Sequence, residues 1–256
     1  MRETPDAGES VKTTEKSFDI LEYLLDSDGA QLTELADKLG MAKSTTHRHL
    51  QTLHERECVV EEDGEYHVSL RLLEFGEQAR NRKDAYELVM AKVDELAEET
   101  EERVQFIVEE HGRGVYVYRA TGEHAVQTDL GIGKRIPLHS IAAGKAILAH
   151  LPEERVEEII ERQGLESITD NTLMSREELY EEFETIQEHG YSINNQENVA
   201  GLRAVGVPIR TRDGGVLGAV SVSGPTNRIK GERFEETLPD LLLGTANEVE
   251  LNIAYA

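Results

Sequence analysis

Apolar positions along residues 32–53 repeat with helical spacing, twice in succession. Leu32, Leu35, Ala36 and Leu39 fall at i, i+3, i+4 and i+7, which makes one apolar stripe on a helix. Gly40 follows at once, where a residue without a side chain can take the positive φ that ends a helix and redirects the chain. A second helix from Ala42 then turns Thr46, Leu50 and Leu53 inward, and the small Ala36 and Gly40 let the two helices approach closely. The pattern predicts a helix-turn-helix.

Its flanks extend the prediction. Residues 14–26 read as a helix that buries Phe18, Leu21 and Leu25, with Ile20 and Leu24 widening the face. Downstream, an apolar-rich run, Asp63-Gly64 and a second run through Tyr66 and Val68 predict a β-hairpin, because Asp-Gly suits its tight turn. Three helices and a hairpin make a winged helix-turn-helix, expected over residues 13–80 after a polar, disordered lead-in at residues 1–12. Residues 70–79 add a short helix with Leu70, Leu73 and Ala79 available for packing. A linker helix is expected within residues 81–102, with Ala85, Leu88, Val89, Val93 and Leu96 on one side and carboxylates on the other. It can connect domains or pack on a partner's copy.

From Arg103 the period changes. Two strand-like runs on either side of residues 111–114 should pair, and residues 125–132 give a weaker strand. Residues 137–151 read as a loop entering a helix rich in small residues, and further helices are expected at residues 153–162 and 175–189. Another β section begins at Tyr191 and ends in two clear strands around the Asp213-Gly214-Gly215 turn. A terminal helix over residues 234–253 should be interrupted near Pro239. An antiparallel sheet with flanking helices is expected over residues 103–256, so the chain as a whole is of the α+β class.

Charge sharpens the reading of the helix-turn-helix. The chain holds 51 Asp and Glu among 256 residues, yet residues 38–54 contain none. Carboxylates repel phosphate, so such a gap suits a nucleic-acid face. With Thr46 inward, the 100° step per residue puts Ser44, Arg48 and Gln51 outward, flanked by Thr45 and Thr52, with Lys43 in the first turn. Hydroxyls, an amide and an arginine are groups that hydrogen-bond base edges and phosphates. Arg71, just past the wing, is a candidate phosphate contact, whereas the acidic wing tip should stay clear of the backbone. The expected partner is double-stranded DNA.

The formal net charge of −24 is unusual for such a protein, and only nine of the 27 basic residues are lysine. An acidic, lysine-poor surface suits molar salt, where self-repulsion is screened within a few ångströms, and predicts a halophilic origin. Cys58 is the single cysteine, which excludes an intramolecular disulfide and a cysteine-based zinc cluster. No apolar run approaches a membrane span and no signal peptide is evident, so a cytoplasmic protein without membrane contact is expected.

Four segments, taken in order, resemble the IclR (isocitrate lyase regulator) family of transcription factors: LTELADKLGMAKSTTHRHLQTL, IPLHSIAAGKAILAHLP, HGYSINNQENVAGLRAVGVPI and LGAVSVSGP. The resemblance implies a winged helix, a linker helix and a C-terminal GAF-like domain that binds a small metabolite. It also implies a homodimer or tetramer acting on a pseudo-palindromic operator. The family's effector pocket would be lined here by Ala142, Ala143 and Gly144 at the helix start, by Asn194, by Ala204, and by Ser221 and Ser223 on one strand face. Asn194 stands where many members carry an acid and Ala204 where many carry cysteine, so the effector need not be theirs. An organic acid or sugar-derived metabolite would suit helix N–H groups and strand hydroxyls. For the Ala-Ala-Gly run, close helix–sheet packing is the competing explanation.

Other chemistry is weaker. Residues 139–145 lack the first glycine of a P-loop, His139 standing in its place, so Lys145 reads as an exposed or snorkelling helix residue. The histidines show no HxxxH spacing, and no metal or cofactor is expected. His139 reads as a packed loop histidine, with a ligand or metal contact as the alternative. An enzyme in the C-terminal domain with an attached DNA-binding module is the rival function, but the candidate pocket offers no base beside a nucleophile.

Overall fold

The computed structural model describes residues 10–125 and 131–255. The expected lead-in up to residue 9 and most of the expected strand at residues 125–132 lie outside them. The chain divides into two compact units, Met1–Ala79 and Arg80–Ala256.

The first unit packs α1 (Lys12–Ser27), α2 (Leu32–Lys38) and α3 (Lys43–Glu55) against a wing of β1 (Val59–Glu62) and β2 (Glu65–Val68). Its core is Ile20, Leu24, Ala30, Leu35, Leu50, Leu53 and Val59. Gly40 takes φ +62° between α2 and α3. Asp63 and Gly64 take φ +51° and +87°, the paired left-handed residues that match the right-handed twist of a tight hairpin. Backbone bonds in both directions between Ala30 and Tyr66, at 3.1 and 2.8 Å, tie the wing to the α1–α2 turn.

Two apolar faces differ from expectation. Ile20 and Leu24 fill the core, whereas Phe18 and Leu25 are 59% and 72% exposed. Phe18 sits about 160° round the helix from Ile20, so a helix apolar on several sides cannot bury both. Leu70 and Leu73 are likewise exposed, and α4 (Arg71–Arg80) buries no residue.

The second unit is built on a six-stranded antiparallel sheet in the order β5-β4-β3-β8-β7-β6. Its strands are β3 (Arg103–Glu110), β4 (Arg113–Thr121), β5 (Arg135–Ile136), β6 (Ser192–Asn195), β7 (Leu202–Arg210) and β8 (Val216–Pro225). α5 (Ala85–Thr100) and α9 (Leu238–Tyr255) cover one face, packing Tyr86, Val89, Val93 and Leu242 against Phe106 and Val220. The expected linker helix is therefore a layer of this unit. The other face carries α6 (Ala142–Leu148), α7 (Glu153–Gln163) and α8 (Arg176–His189), with Ile107, Leu138, Ile147, Leu179 and Phe183 between the layers. Ser175 opens α8 with a capping box, accepting from the Glu178 N–H at 3.1 Å. A π-helical turn, Arg233–Thr237, precedes α9, so the interruption expected near Pro239 is a change of winding on its N-terminal side.

Candidate nucleic-acid interface and ligand pocket

On α3 the inward residues are Thr46, Leu50 and Leu53. Thr46 is fully buried, and its hydroxyl donates to the Ala42 carbonyl at 3.3 Å, so the polar atom is satisfied within its own helix. His49 is half-buried and its Nδ1 lies 2.9 Å from the Ser17 hydroxyl, which ties α3 to α1. Both polar residues on this side of α3 thus have partners.

Lys43, Ser44, Arg48, Gln51 and Thr52 are exposed, and Thr45 is half-buried beside them. Thr52 donates to the Arg48 carbonyl at 2.9 Å, and Gln51 donates to Glu55 at 3.1 Å. Arg71 is occupied: its Nη1 lies 2.5 Å from Glu57, so a phosphate would have to displace that carboxylate. A groove beside α3 is lined by Thr45, Arg48 and Thr52 together with Lys12 and Lys16 of α1. Those two lysines were passed over because only the fold brings α1 alongside α3.

In the second unit, strand register collects the pocket. One row across the sheet runs Thr121, Arg103, Ser223, Ala204, Asn194, and the next runs Arg119, Gln105, Ser221, Gly206, Ser192. Arg103 and Gln105 are two apart on β3, as Ser221 and Ser223 are on β8, so their side chains share one face. The pocket is walled by these four residues with Tyr116, Ile141, Ala142, Asn194 and Ala204, and the β6–β7 connection covers it with Asn198 and Val199.

The Gln105 amide sits between the serines. With its oxygen toward Arg103 Nε (2.6 Å) and Ser223 Oγ (2.8 Å), its nitrogen donates to Ser221 Oγ (2.9 Å), and each donor meets an acceptor. Asn194 is committed to the framework. Its Nδ2 donates to the Ser140 carbonyl at 2.6 Å and its Oδ1 accepts from the Glu197 N–H at 3.2 Å. Of the small residues at the start of α6, only Ala142 lines the pocket. A Cβ on Gly144 would meet the Leu138 carbonyl oxygen at 2.1 Å, and one on Gly206 would meet the Ala143 nitrogen at 2.7 Å. Close packing therefore requires glycine at both 144 and 206.

Arg103 and Gln105 were the residues that sequence reasoning missed. The available signal was polar alternation on a strand otherwise built from Val104, Phe106 and Ile107. Arg103 is 8% exposed, and burial lowers its guanidinium pKa from the ordinary arginine value, with Tyr116 opposing and Arg119 adding to the shift. Tyr116, also buried, is pushed up by desolvation.

Lys145 is not a surface residue. Only 1% of it is exposed, and its ammonium lies 2.9 Å from Glu182 and 2.7 Å from Glu197. The whole of α6 is buried between sheet and α8, and a cation there must be paired. His139 is buried and its Nε2 lies 3.0 Å from the Glu166 carbonyl, as a packed loop histidine. Among the described residues no helix is long and apolar enough to cross a membrane, and no group of three or more His, Cys, Asp or Glu could hold a metal.

Comparison with known proteins now bears on both sites. Residues 13–63 match the IclR helix-turn-helix domain, and residues 78–251 match the family described as bacterial transcriptional regulator IclR C-terminal. The chain belongs to the IclR family. A Halobacterium salinarum protein named "Probable HTH-type transcriptional regulator ArcR" is 33% identical over 244 residues, covering 94% of this chain and 93% of the relative. The crystal structure of the Thermotoga maritima IclR is 29% identical, covers 95% of this chain and 99% of its own, and superimposes with a TM-score of 0.79. An IclR homologue from Microbacterium hydrocarbonoxydans, complexed with 4-hydroxybenzoate, shares the fold at 22% identity and a TM-score of 0.80, covering 95% and 100% of the two chains. The IclR relatives are transcriptional regulators and not enzymes, which disposes of the enzymatic alternative. This chain is a DNA-binding transcriptional regulator, with the family's helix-turn-helix domain followed by its C-terminal domain.

Proposed function

We propose that α3 reads operator DNA from the major groove through Ser44, Arg48 and Gln51, with Lys43, Thr45 and Thr52 beside them and Arg71 as a subsidiary phosphate contact. The observation that carries this reading is the exposed, carboxylate-free face of α3 within a chain of net charge −24. A helix of this kind fits the major groove, and two copies one helical turn apart fit a pseudo-palindrome, so the working form is a homodimer or tetramer. DNA binding is assigned to residues 13–80 and effector binding to residues 103–256, with residues 81–102 carrying α5 between the two functions.

The effector is an organic acid or sugar-derived metabolite held by Ser221 and Ser223, beside Ala142 and Ala204. Asn194 shapes the pocket floor rather than gripping the ligand. The bound 4-hydroxybenzoate of the Microbacterium protein supports a small organic molecule as the kind of ligand this fold accepts. Acidic composition and the Halobacterium relative support a cytoplasm of high salt as the setting.

The test is a fluorescence titration of labelled operator with the wild type and Arg48→Ala. Loss of one base-reading arginine should weaken binding by ~1–3 kcal/mol. Unchanged affinity would remove Arg48 from the interface.

A further inference from the structure

The connection between β6 and β7, residues 196–201, is built as a separate piece of the pocket wall. Its two ends, Gln196 and Gly201, take φ +68° and +83°. A left-handed residue other than glycine stays in that conformation only while its surroundings hold it. The Gln196 side chain accepts from the Gly201 N–H at 3.0 Å, which closes the connection on itself. Between these ends Asn198 and Val199 lie over the pocket, whose floor residues Gln105 and Ser221 are each 4% exposed. Among the described residues the other walls are strands and the start of α6. Moving a strand would break the sheet ladder, and moving α6 would break the core around Ile147. The connection is the wall that can give way.

A charge contact holds it down. The Lys145 ammonium lies 2.7 Å from Glu197 on the connection and 2.9 Å from Glu182 on α8. One cation thus serves two carboxylates that repel each other, and Glu197 Oε2 makes no hydrogen bond despite its close approach. When the connection lifts, Lys145 keeps Glu182 and Glu197 regains water, so neither charge is left buried alone. An isolated buried pair has no such route, because opening it strands one partner. The remaining restraints on Glu197 are neutral. Its carbonyl accepts from Thr169 at 3.1 Å and Thr172 at 2.6 Å, and its N–H donates to Asn194 at 3.2 Å.

We propose that Lys145 is a positioning residue for the pocket: through Glu197 it latches residues 196–201 over Ser221, and release of Glu197 opens the way in. Glu182 keeps the ammonium neutralised in both positions of the latch. None of the three charged residues lines the pocket, so the latch sets access without selecting what binds. Its regulatory use rests on the pocket being the effector site, whereas access itself can be read with no effector present.

Thiol labelling of the full chain in molar KCl reads that access. Cys58, the single cysteine, is replaced by serine, and Ser221→Cys places a thiol of similar shape on the pocket floor. Ala97→Cys, at a position 3% exposed in the core on the opposite face of the sheet, reports general loosening. With iodoacetamide as the probe, Ser221→Cys should react at least about tenfold more slowly than the same protein unfolded in urea. Glu197→Gln leaves Lys145 paired with Glu182 and turns a charged contact into a neutral one. It should speed labelling of Ser221→Cys by about tenfold and leave Ala97→Cys unchanged. Circular dichroism checks folding; if the glutamine variant does not fold, Thr172→Val, which frees the Glu197 carbonyl, is measured with the same expectation. An unchanged rate for Ser221→Cys in the folded variant, or equal acceleration at both positions, would overturn the latch. So would labelling of Ser221→Cys at the unfolded rate with Glu197 intact. A failed latch leaves the effector reading standing; that reading fails separately, if no small organic acid or sugar acid shifts operator affinity.

Discussion

Lys145 and Glu197 meet in the interior of the second unit, 2.7 Å apart, with 1% and 8% of their side chains exposed. Glu182 of α8 supplies a second carboxylate to the same ammonium, at 2.9 Å. Glu197 also accepts from the Asn195 N–H, and its carbonyl accepts from the hydroxyls of Thr169 and Thr172. The cluster thereby fastens the connection that covers the pocket to α6 and α8. Burial raises the Glu197 carboxyl above the usual carboxylate value, with Lys145 pulling it back down.

Removing the cation should leave two carboxylates facing each other in a poorly solvated space. Lys145→Met is expected to cost ~3–5 kcal/mol of stability, the scale for breaking a buried pair from one side. Adding Glu197→Gln should recover part of that loss. Urea unfolding of the two variants checks both statements, and a loss under ~1 kcal/mol in the single variant would mean that the pair is solvated in solution.

His139 gives the fold a dependence on pH. Its imidazole pKa is lowered from the ordinary value, chiefly by burial, while the Glu166 carbonyl at 3.0 Å partly opposes the shift. In the unfolded chain the group titrates near ~6.5, so below that pH the unfolded state takes up the proton first. The contribution of His139 is complete above about pH 6.5 and drains away as pH falls through the lowered folded value. In His139→Gln the unfolding midpoint should change less between pH 7 and pH 5 than in the wild type. Parallel pH dependence of the two proteins would show that His139 is not buried as a neutral group.

Much of this was legible from local pattern. The stripe Leu32, Leu35, Ala36, Leu39 and the inward Thr46, Leu50 and Leu53 need only helical spacing, and Asp63-Gly64 needs only turn chemistry. Ser221 and Ser223 share a face by strand period alone. Phase was harder. α1 carries apolar residues on several sides, and which of Phe18, Ile20, Leu24 and Leu25 faces inward depends on what packs against the helix. Lys145 was misread because burial of a lysine requires Glu182 and Glu197, 37 and 52 residues away, to arrive beside it. Arg103 and Gln105 were missed for a similar reason, since their meaning comes from β8 lying next to β3 across 118 residues of chain between Gln105 and Ser223.

Composition leads to a separate expectation about salt. At net charge −24, carboxylates crowd the surface, and their repulsion is screened over only ~3 Å in molar salt. The protein should lose secondary structure below roughly half-molar KCl, where that screening weakens. Circular dichroism along a KCl series is the measurement. Full signal retained in dilute buffer would argue against adaptation to high salt.

The central claim is that occupation of the pocket controls operator binding, and Ser223 tests it most directly. Its hydroxyl lies 2.8 Å from the Gln105 amide and 3.3 Å from Arg103 Nε, inside the pocket of the second unit, whereas the α3 residues proposed for DNA belong to the first. Valine in its place removes those bonds and adds apolar bulk. A thermal-shift screen of small organic acids and sugar acids supplies an effector, and operator affinity is then measured with and without it for wild type and Ser223→Val. The account predicts that the effector shifts wild-type operator affinity, that the shift shrinks by ~1–3 kcal/mol in the variant, and that affinity without effector stays nearly unchanged. An undiminished shift in Ser223→Val would place the effector elsewhere and contradict the account.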